Sequence, residues 1–449
     1  MKLVILGNGF DLASNLPTSY KDFFMFRFNQ EVKLFDDIEN FFRGKIISNK
    51  KKTQIPPDED AFREDKILAI KTVSILVDNL IHNKINFWDI YFWCLIKHNN
   101  QNNLNWNKVE DEIKQFVSNG STESGISINK ININNPFDFK KDITNGGYNR
   151  ISYIADIFVG YTEIERTIIL LNELLIKKSK SSKIVDTSKL LLEELISFEL
   201  VFQDYISKIM HEVVFKKKYT VNKNVYKRNF LKLIDSENEN DNEYFLLNFN
   251  YTSFHIFNYE TYGSTYKLSN SNAFSSKSNK ITVSEVNVHG CFIKKIIFGV
   301  DQDKVDAREP YYIFTKTYRK VSESRFLLSE SLPKKNLINE VILFGHSLSD
   351  ADYSYFQSIF DYYDIYESNI KLSFKFSYYS DPILHWKIKH DQINSAINLV
   401  KIYGNSLSNT KKGENLIHKL LLENRINFED IILDQIDSDT FRVKYHIKD

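Results

Sequence analysis

The sequence predicts an α/β protein, a parallel sheet with a large helical insertion after its first strand. Three observations predict it. Short apolar runs that stop at glycine or asparagine occur at the amino terminus and again beyond residue 243. Helical patterns separate several of the later runs, the alternation that builds a parallel sheet. Between the first run and the rest, residues 31–239 carry helical periodicity and polar loops instead. The expected division is a Rossmann-like core over residues 1–30 and 240–410, a helical insertion over 31–239 and a carboxyl-terminal extension over 411–449.

Lys2-Leu3-Val4-Ile5-Leu6 is apolar without helical period and runs into Gly7-Asn8-Gly9, so it reads as a buried strand entering a tight turn. Residues 16–20 form a loop, and Ser19 with Asp22 can cap the helix that follows. In the insertion, residues 62–82 are helical in pattern, and Phe87, Trp88, Tyr91, Phe92 and Leu95 stand at helical spacing within 86–98. A stripe from Ile154 to Leu175 and a four-and-three alternation from Leu191 to Ile209 give two more helices. Residues 119–135 and 177–189 are polar and aperiodic, and read as loops. Aromatic stripes of this kind are core far more often than cofactor contacts. Strands resume at 244–249 and follow at 283–288, 296–298, 341–344, 372–378 and 399–403, with helices at 352–363 and 382–397. Residues 269–280 are a polar low-complexity loop, expected to be unstructured. The tail holds a helix at 414–422 and room for two strands.

Composition excludes several classes. The 59 Lys and Arg nearly cancel the 58 Asp and Glu, so a dedicated nucleic-acid binder with a basic excess is not expected. Cys94 and Cys291 are the only cysteines, which rules out a four-cysteine zinc module and a disulfide framework and fits a reducing compartment. The opening apolar run is too short for a signal-peptide core, and no run reaches the roughly 18 residues a membrane span needs. A cytoplasmic protein is expected. Glycine, with 14 in 449 residues, is used at about half its usual frequency of roughly 7%. Those that follow strand-like runs, Gly7, Gly9, Gly290, Gly299 and Gly345, are therefore the ones to examine.

Open parallel sheets bind ligands at the carboxyl ends of their strands, and four motifs fall at such ends. Gly7-Asn8-Gly9-Phe10-Asp11 can turn sharply and offer N–H groups to a phosphate, although Leu12 replaces the third glycine of a dinucleotide fingerprint. A plain strand-to-helix turn reads equally well. Asp11 faces a ribose hydroxyl or caps the helix. In Asn248-Phe249-Asn250-Tyr251-Thr252, a neutral amide can hold a sugar hydroxyl or a water through donor and acceptor together, or serve the turn itself. In Val288-His289-Gly290, the imidazole suits proton transfer near neutral pH and the glycine leaves space, against a purely structural histidine. In Phe344-Gly345-His346-Ser347-Leu348-Ser349-Asp350-Ala351-Asp352, Gly345 and Ser347 can approach a nucleotide and Asp350 can take ribose hydroxyls. Ser349 with Asp352 reads as a helix cap, and an Asp-x-Asp metal site is the lesser alternative. No other carboxylate or histidine cluster has ligand spacing, so no metal is assigned. No GxxxxGK[ST] and no GxSxG occurs, which disfavours a P-loop NTPase and an α/β-hydrolase.

ILGNGFDLASNLPTSYKDFF, FNYTSF, VHG and ILFGHSLSDADYSYF, in this order and spacing, resemble the bacteriophage abortive infection AbiH family along most of the chain. That family is in turn similar to sirtuin-like NAD-binding domains. The resemblance implies that Gly7, Asn8, Gly9 and Phe10 line a dinucleotide pocket, with Asp11, Thr18 and Tyr251 among the cofactor-binding positions. It implies that Asn250 and His289 flank the nicotinamide ribose as the catalytic pair, and that Gly345, Ser347 and Asp350 hold the adenosine half. Asp11 and Leu12 depart from the sirtuin glycine turn, and Thr252 stands where such domains often carry an aspartate.

The expected function is phage defence by hydrolysis of NAD+ at the nicotinamide–ribose bond. The chemistry suits a sparse site, because the pyridinium leaves as neutral nicotinamide without a general acid. NAD is the substrate, and a related dinucleotide or a phage-derived trigger or partner protein completes the expected partners, with no membrane and an oligomer left open. Such an activity is toxic to the host, so the helical insertion is expected to keep the pocket closed until infection. The rival expectation is a non-enzymatic sensor that binds NAD or an ADP-ribose derivative and acts through a partner. A metal-dependent nuclease using Asp350 and Asp352 is the third. The preferred reading requires Asn250 and His289 to converge on one cleft beside the opening turn, with His289 not packed in a sealed interior.

Overall fold

The structure is a computed structural model and describes residues 1–43, 73–98, 106–117, 126, 131, 162–183, 186–215, 220–234, 243–254, 261–262, 265–266, 273–275, 280–301, 306–322, 332–348, 352–378 and 380–447. The chain forms two compact units. One comprises Met1–Phe23, Phe202–Ile297 and Arg319–Asp449, and the other Phe24–Val201 and Phe298–Tyr318.

The first unit is built on a seven-stranded sheet. Its strands are β1 (Lys2–Leu6), β2 (Glu243–Asn248), β5 (Ala273–Ser275), β6 (Lys280–Asn287), β7 (Glu340–Phe344), β8 (Lys371–Ser377) and β9 (Ile426–Ile431). The order across the sheet is β5-β6-β2-β1-β7-β8-β9. All neighbours are parallel except β5, which returns antiparallel against β6. Counting only the parallel strands, the spatial order is third, second, first, fourth, fifth, sixth: the arrangement of a Rossmann-like sheet. β3 (Thr261–Tyr262) and β4 (Thr265–Tyr266) make a separate two-stranded ribbon.

Burial on both faces explains the apolar strands. Leu3, Ile5, Phe245, Leu247, Val341, Leu343, Leu372 and Phe374 point into one core layer, with Phe356, Phe360, Leu399, Tyr403 and Leu420 packed on them. Register then lines up the strand ends. Leu6 pairs with Asn248 on one side and Phe344 on the other, and Asn248 pairs with Asn287. The residues that follow, Gly7, Asn250, His289 and Gly345, therefore leave four adjacent strands at one edge.

Four sequence expectations are corrected, and one is met in part. Residues 399–403 are not a strand but the end of a helix, Pro382–Ser406, because Ala396, Leu399, Val400 and Tyr403 are buried at helical spacing. Residues 296–298 form only an isolated bridge, Gly290 to Ile296, although all three side chains are buried: a short apolar run reports burial, not conformation. Residues 177–189 are not a loop, since the helix Glu163–Ser182 runs into them and ends at Lys183 with φ 60°. Lys and Ser are tolerated there because Lys178 reaches Glu194 at 2.6 Å and the last turn faces water. The polar segment 269–280 supplies β5 and the start of β6; its polarity is that of a sheet edge. Of the two strands for which 411–449 leaves room, β9 forms: it pairs along β8 from Leu372–Ile426 to Ser377–Ile431 and completes the sheet.

The tail beyond β9 returns to the first turn of the chain. Ile436 N donates to Ser14 O, and Asn15 Nδ2 donates to Ile436 O at 2.8 Å. Asn229, fully buried, donates to Ser14 Oγ and Asp434 O and accepts from Asp434 N. Arg442 reaches Asp22 at 3.0 Å. Asn229→Ala is expected to lower stability in urea by about 1–3 kcal/mol, since it leaves buried partners unmatched. An unchanged urea midpoint would mean that the tail is not a stabilising clasp.

The second unit is helical with an aromatic core. Phe87–His98 is a helix whose Phe87, Trp88, Tyr91 and Phe92 are fully buried, and Trp88 meets Phe116 edge-on at 5.3 Å. The aromatic stripe read from the sequence is core. Two buried ion pairs lie within this unit: Arg27 with Asp89 at 2.8 Å, and Lys316 with Glu110 at 2.8 Å. Helical pattern at 62–72 and 154–161 and the polar stretch 119–135 fall largely outside the described residues.

Candidate functional site

Two glycine turns meet between β1 and β7, where the strand order reverses. Gly7 N donates to Phe344 O at 2.9 Å, Gly9 N to Gly345 O at 2.7 Å, and Phe10 N to Gly7 O at 3.0 Å. A Cβ on Gly345 would stand 2.5 Å from Phe10 N, and one on Gly9 2.6 Å from Gly345 Cα. Gly345 also has φ +69°, a left-handed conformation. Backbone contact between the two motifs is what these glycines allow. Three of the turn's N–H groups are bonded within the protein.

The other predicted cofactor positions fall in two environments. Asn8 Oδ1 accepts from Thr18 Oγ1 at 2.9 Å, so these two residues brace the loop into the next helix, Tyr20–Gln30. Ser19 and Asp22 cap that helix reciprocally, as the sequence suggests. Phe10 is a core residue, edge-on to Tyr226 at 5.0 Å and to Phe344 at 5.8 Å. Tyr251 is buried against Phe202, with its hydroxyl 3.4 Å from Ile297 O. Ser347 is exposed, and Asp350 lies outside the described residues.

Asp11 does not cap a helix end. Its carboxyl accepts from Tyr226 Oη and from Thr252 Oγ1, each at 2.8 Å, in a fully buried position. Burial pushes this carboxyl up to about 7, the two hydroxyl donors pull against that rise, and nearby Glu285 adds to it.

The Asn motif is held by its own first residue. Asn248 Oδ1 accepts from Asn250 N at 2.9 Å, and Asn248 Nδ2 donates to Thr252 O and to Glu285 Oε1. Asn287 Nδ2 donates to Thr252 O at 3.0 Å. The backbone around Asn250 is therefore fixed, yet among the described residues neither Oδ1 nor Nδ2 of its buried side chain has a hydrogen-bond partner. Native interiors rarely leave a whole amide in that condition.

His289 follows the neighbouring strand and is fully buried, where the hydrolase reading expects an open cleft. Its Nε2 lies 3.0 Å from Asp352 Oδ1, and the second carboxylate oxygen, Oδ2, lies 3.3 Å from His346 Nε2. Leu348 N donates to His346 Nδ1 at 3.0 Å. Phe249 packs edge-on against both imidazoles, at 5.3 and 4.8 Å between ring centres. Asp352 is at the N-cap of the helix Tyr353–Tyr362, and its side chain makes no capping bond to that helix. Ser349 itself is outside the described residues.

His346, Asp352, Thr252 and Tyr226 are the site residues that sequence reasoning missed as such. The signal for the first two was present, since both belong to the GHSLSDAD motif. Among the described residues, no group of three or more His, Cys, Asp or Glu is arranged to hold a metal ion, and no helix is long and apolar enough to cross a membrane.

Residues 3–375 match the family model described as Bacteriophage abortive infection AbiH. No curated protein and no solved structure matches the chain. The matched span takes in all four strand-end motifs and the Rossmann-like sheet as far as β8, so the chain belongs to the bacteriophage abortive infection AbiH family and has a role in abortive infection.

Proposed function

We propose that the chain is an abortive-infection effector that hydrolyses NAD+ at its nicotinamide–ribose bond. The observation that carries this reading is Asn250, a buried amide with neither polar atom matched among the described residues, on the strand end beside that of His289. Such a group is a standing cost of about 1–3 kcal/mol unless a ligand meets it. A ribose hydroxyl and a water would satisfy its donor and acceptor together. The C–N bond breaks with its electron pair leaving on neutral nicotinamide. Water forms the new C–O bond, and its proton passes to His289. Asn250 orients the hydroxyl and the water in that step. Gly7, Asn8, Gly9, Phe10, Asp11, Thr18 and Tyr251 shape or brace the nicotinamide side, and Gly345, Ser347 and Asp350 the adenosine side.

A resting form with His289 and Asn250 both covered suits an activity that would kill its own host, and a phage-derived trigger or partner protein would then open it. The test is nicotinamide and ADP-ribose release from NAD+ by the purified full-length chain and in cells during infection. Release is expected, and His289→Ala and Asn250→Ala are each expected to abolish it. Full activity in both variants would remove the assignment.

The burial of His289 also favours a second reading, a sensor that binds NAD or an ADP-ribose derivative without cleaving it. That reading predicts saturable NAD+ binding by calorimetry with no nicotinamide released under any condition.

A further inference from the structure

We infer that Asp352 is the positioning residue of the histidine site: it holds His289 with its proton on Nε2, so that Nδ1 is the nitrogen that takes up the proton. This rests on the hydrolase reading above for its consequence, but the tautomer follows from the bonds to an ionised Asp352.

The proton map can be read from one end. Leu348 N–H donates to His346 Nδ1 at 3.0 Å, so that nitrogen presents its lone pair. A neutral imidazole with an accepting Nδ1 carries its proton on Nε2. His346 therefore carries its proton on Nε2, the nitrogen that lies 3.3 Å from Asp352 Oδ2. As a carboxylate, Asp352 can only accept, so at Oδ1 it requires the proton of His289 to be on Nε2 as well, at 3.0 Å. Leu348 thus sets the His346 ring, and the carboxylate between the two rings sets His289.

The local conformation supports a dedicated role. Asp at an N-cap ordinarily accepts from a backbone N–H in the first helical turn. Asp352 occupies that position without doing so; its Oδ1 bonds His289 and its Oδ2 lies 3.3 Å from His346 Nε2. It is 3% exposed, so this orientation is set by the bonds and not by solvent. The positive end of the helix Tyr353–Tyr362 still favours its negative charge.

Asp352→Asn separates this role from simple packing. The amide offers one acceptor and one donor where the carboxylate offers two acceptors. Because Leu348 pins His346, the amide oxygen is expected to stay with His346 and the amide N–H to face His289. His289 must then accept at Nε2 and carry its proton on Nδ1, the nitrogen the reaction needs bare.

The test is nitrogen NMR of the full-length chain carrying 15N-labelled histidine, with the His289 and His346 signals assigned by their loss in His289→Gln and His346→Gln. Both rings are expected as the Nε2–H form in the unsubstituted protein. In Asp352→Asn, only His289 is expected to switch to Nδ1–H. NAD+ turnover should fall at least about 10²-fold in kcat, with KM changed by less than about threefold, because orientation of the base is lost while the dinucleotide contacts remain. An Nδ1–H form of His289 in the unsubstituted protein would overturn the assignment, and this measurement stands even if the variant does not fold. Normal kcat in a folded Asp352→Asn protein would overturn it too. Absence of NAD+ cleavage by the unsubstituted chain would remove the hydrolase reading alone, since the tautomers are observed without turnover.

Discussion

Asn250→Leu is expected to make the protein more stable and inactive at once. The side chain is buried, its backbone N–H is held by Asn248, and neither amide atom has a partner among the described residues. An unmatched buried polar group costs about 1–3 kcal/mol, whereas an apolar group of the same branching does not. Leucine is bulkier, and crowding offsets part of the gain. A rise in unfolding free energy of about 1–2 kcal/mol is the expected net result in urea titration. Loss of the ligand-orienting amide should lower NAD+ turnover by about 10²–10³-fold, the range seen when one preorganised donor is removed. A structural asparagine would behave in the opposite way, losing stability and keeping activity. That outcome would end the role given to Asn250.

The edge at which the site sits is legible in the sequence because each motif directly follows an apolar run. A parallel sheet brings the carboxyl ends of such runs together, so Gly7, Asn250, His289 and Gly345 can be placed as neighbours from pattern alone. Their partners are less legible. A Ser-x-x-Asp spacing reads locally as a helix cap, and nothing local says that Asp352 will meet a histidine 63 positions earlier. That meeting depends on the order in which the strands assemble. Likewise, Asp11 and Thr252 are two of the three positions at which the chain departs from the sirtuin-like pattern expected from its sequence, and they bond each other across 241 positions. Read singly, each looks like a loss; together they form one buried pair. The sheet's far edge fails for a different reason. Residues 399–403 and 426–431 compete as strand candidates, and the first is the more apolar. Helical burial of Leu399, Val400 and Tyr403 accounts for that apolarity, which leaves the half-exposed Ile426–Ile431 to complete the sheet.

Asp11→Asn tests the other side of the site through pH. In the folded chain, burial holds the Asp11 carboxyl near 7, and in the unfolded chain it returns to an ordinary value near 3.8. Between these values the folded state binds the extra proton, so raising pH favours unfolding. The stability associated with a protonated Asp11 is complete below about pH 4, falls as pH rises toward 7, and is gone above it. At about 1.4 kcal/mol for each pH unit, the full effect is on the order of 4 kcal/mol. Asparagine reproduces the neutral acid, with one acceptor and a donor for Tyr226 or Thr252, and does not titrate. The variant should therefore match the unsubstituted protein below about pH 3, where Asp11 is protonated in both states. Its advantage should grow steadily toward pH 7 and then level off, in urea titrations at a series of pH values. A constant difference across that range would show that Asp11 ionises normally in the folded chain. A difference of the opposite sign would show that the carboxylate, not the neutral acid, is the form that Tyr226 and Thr252 hold.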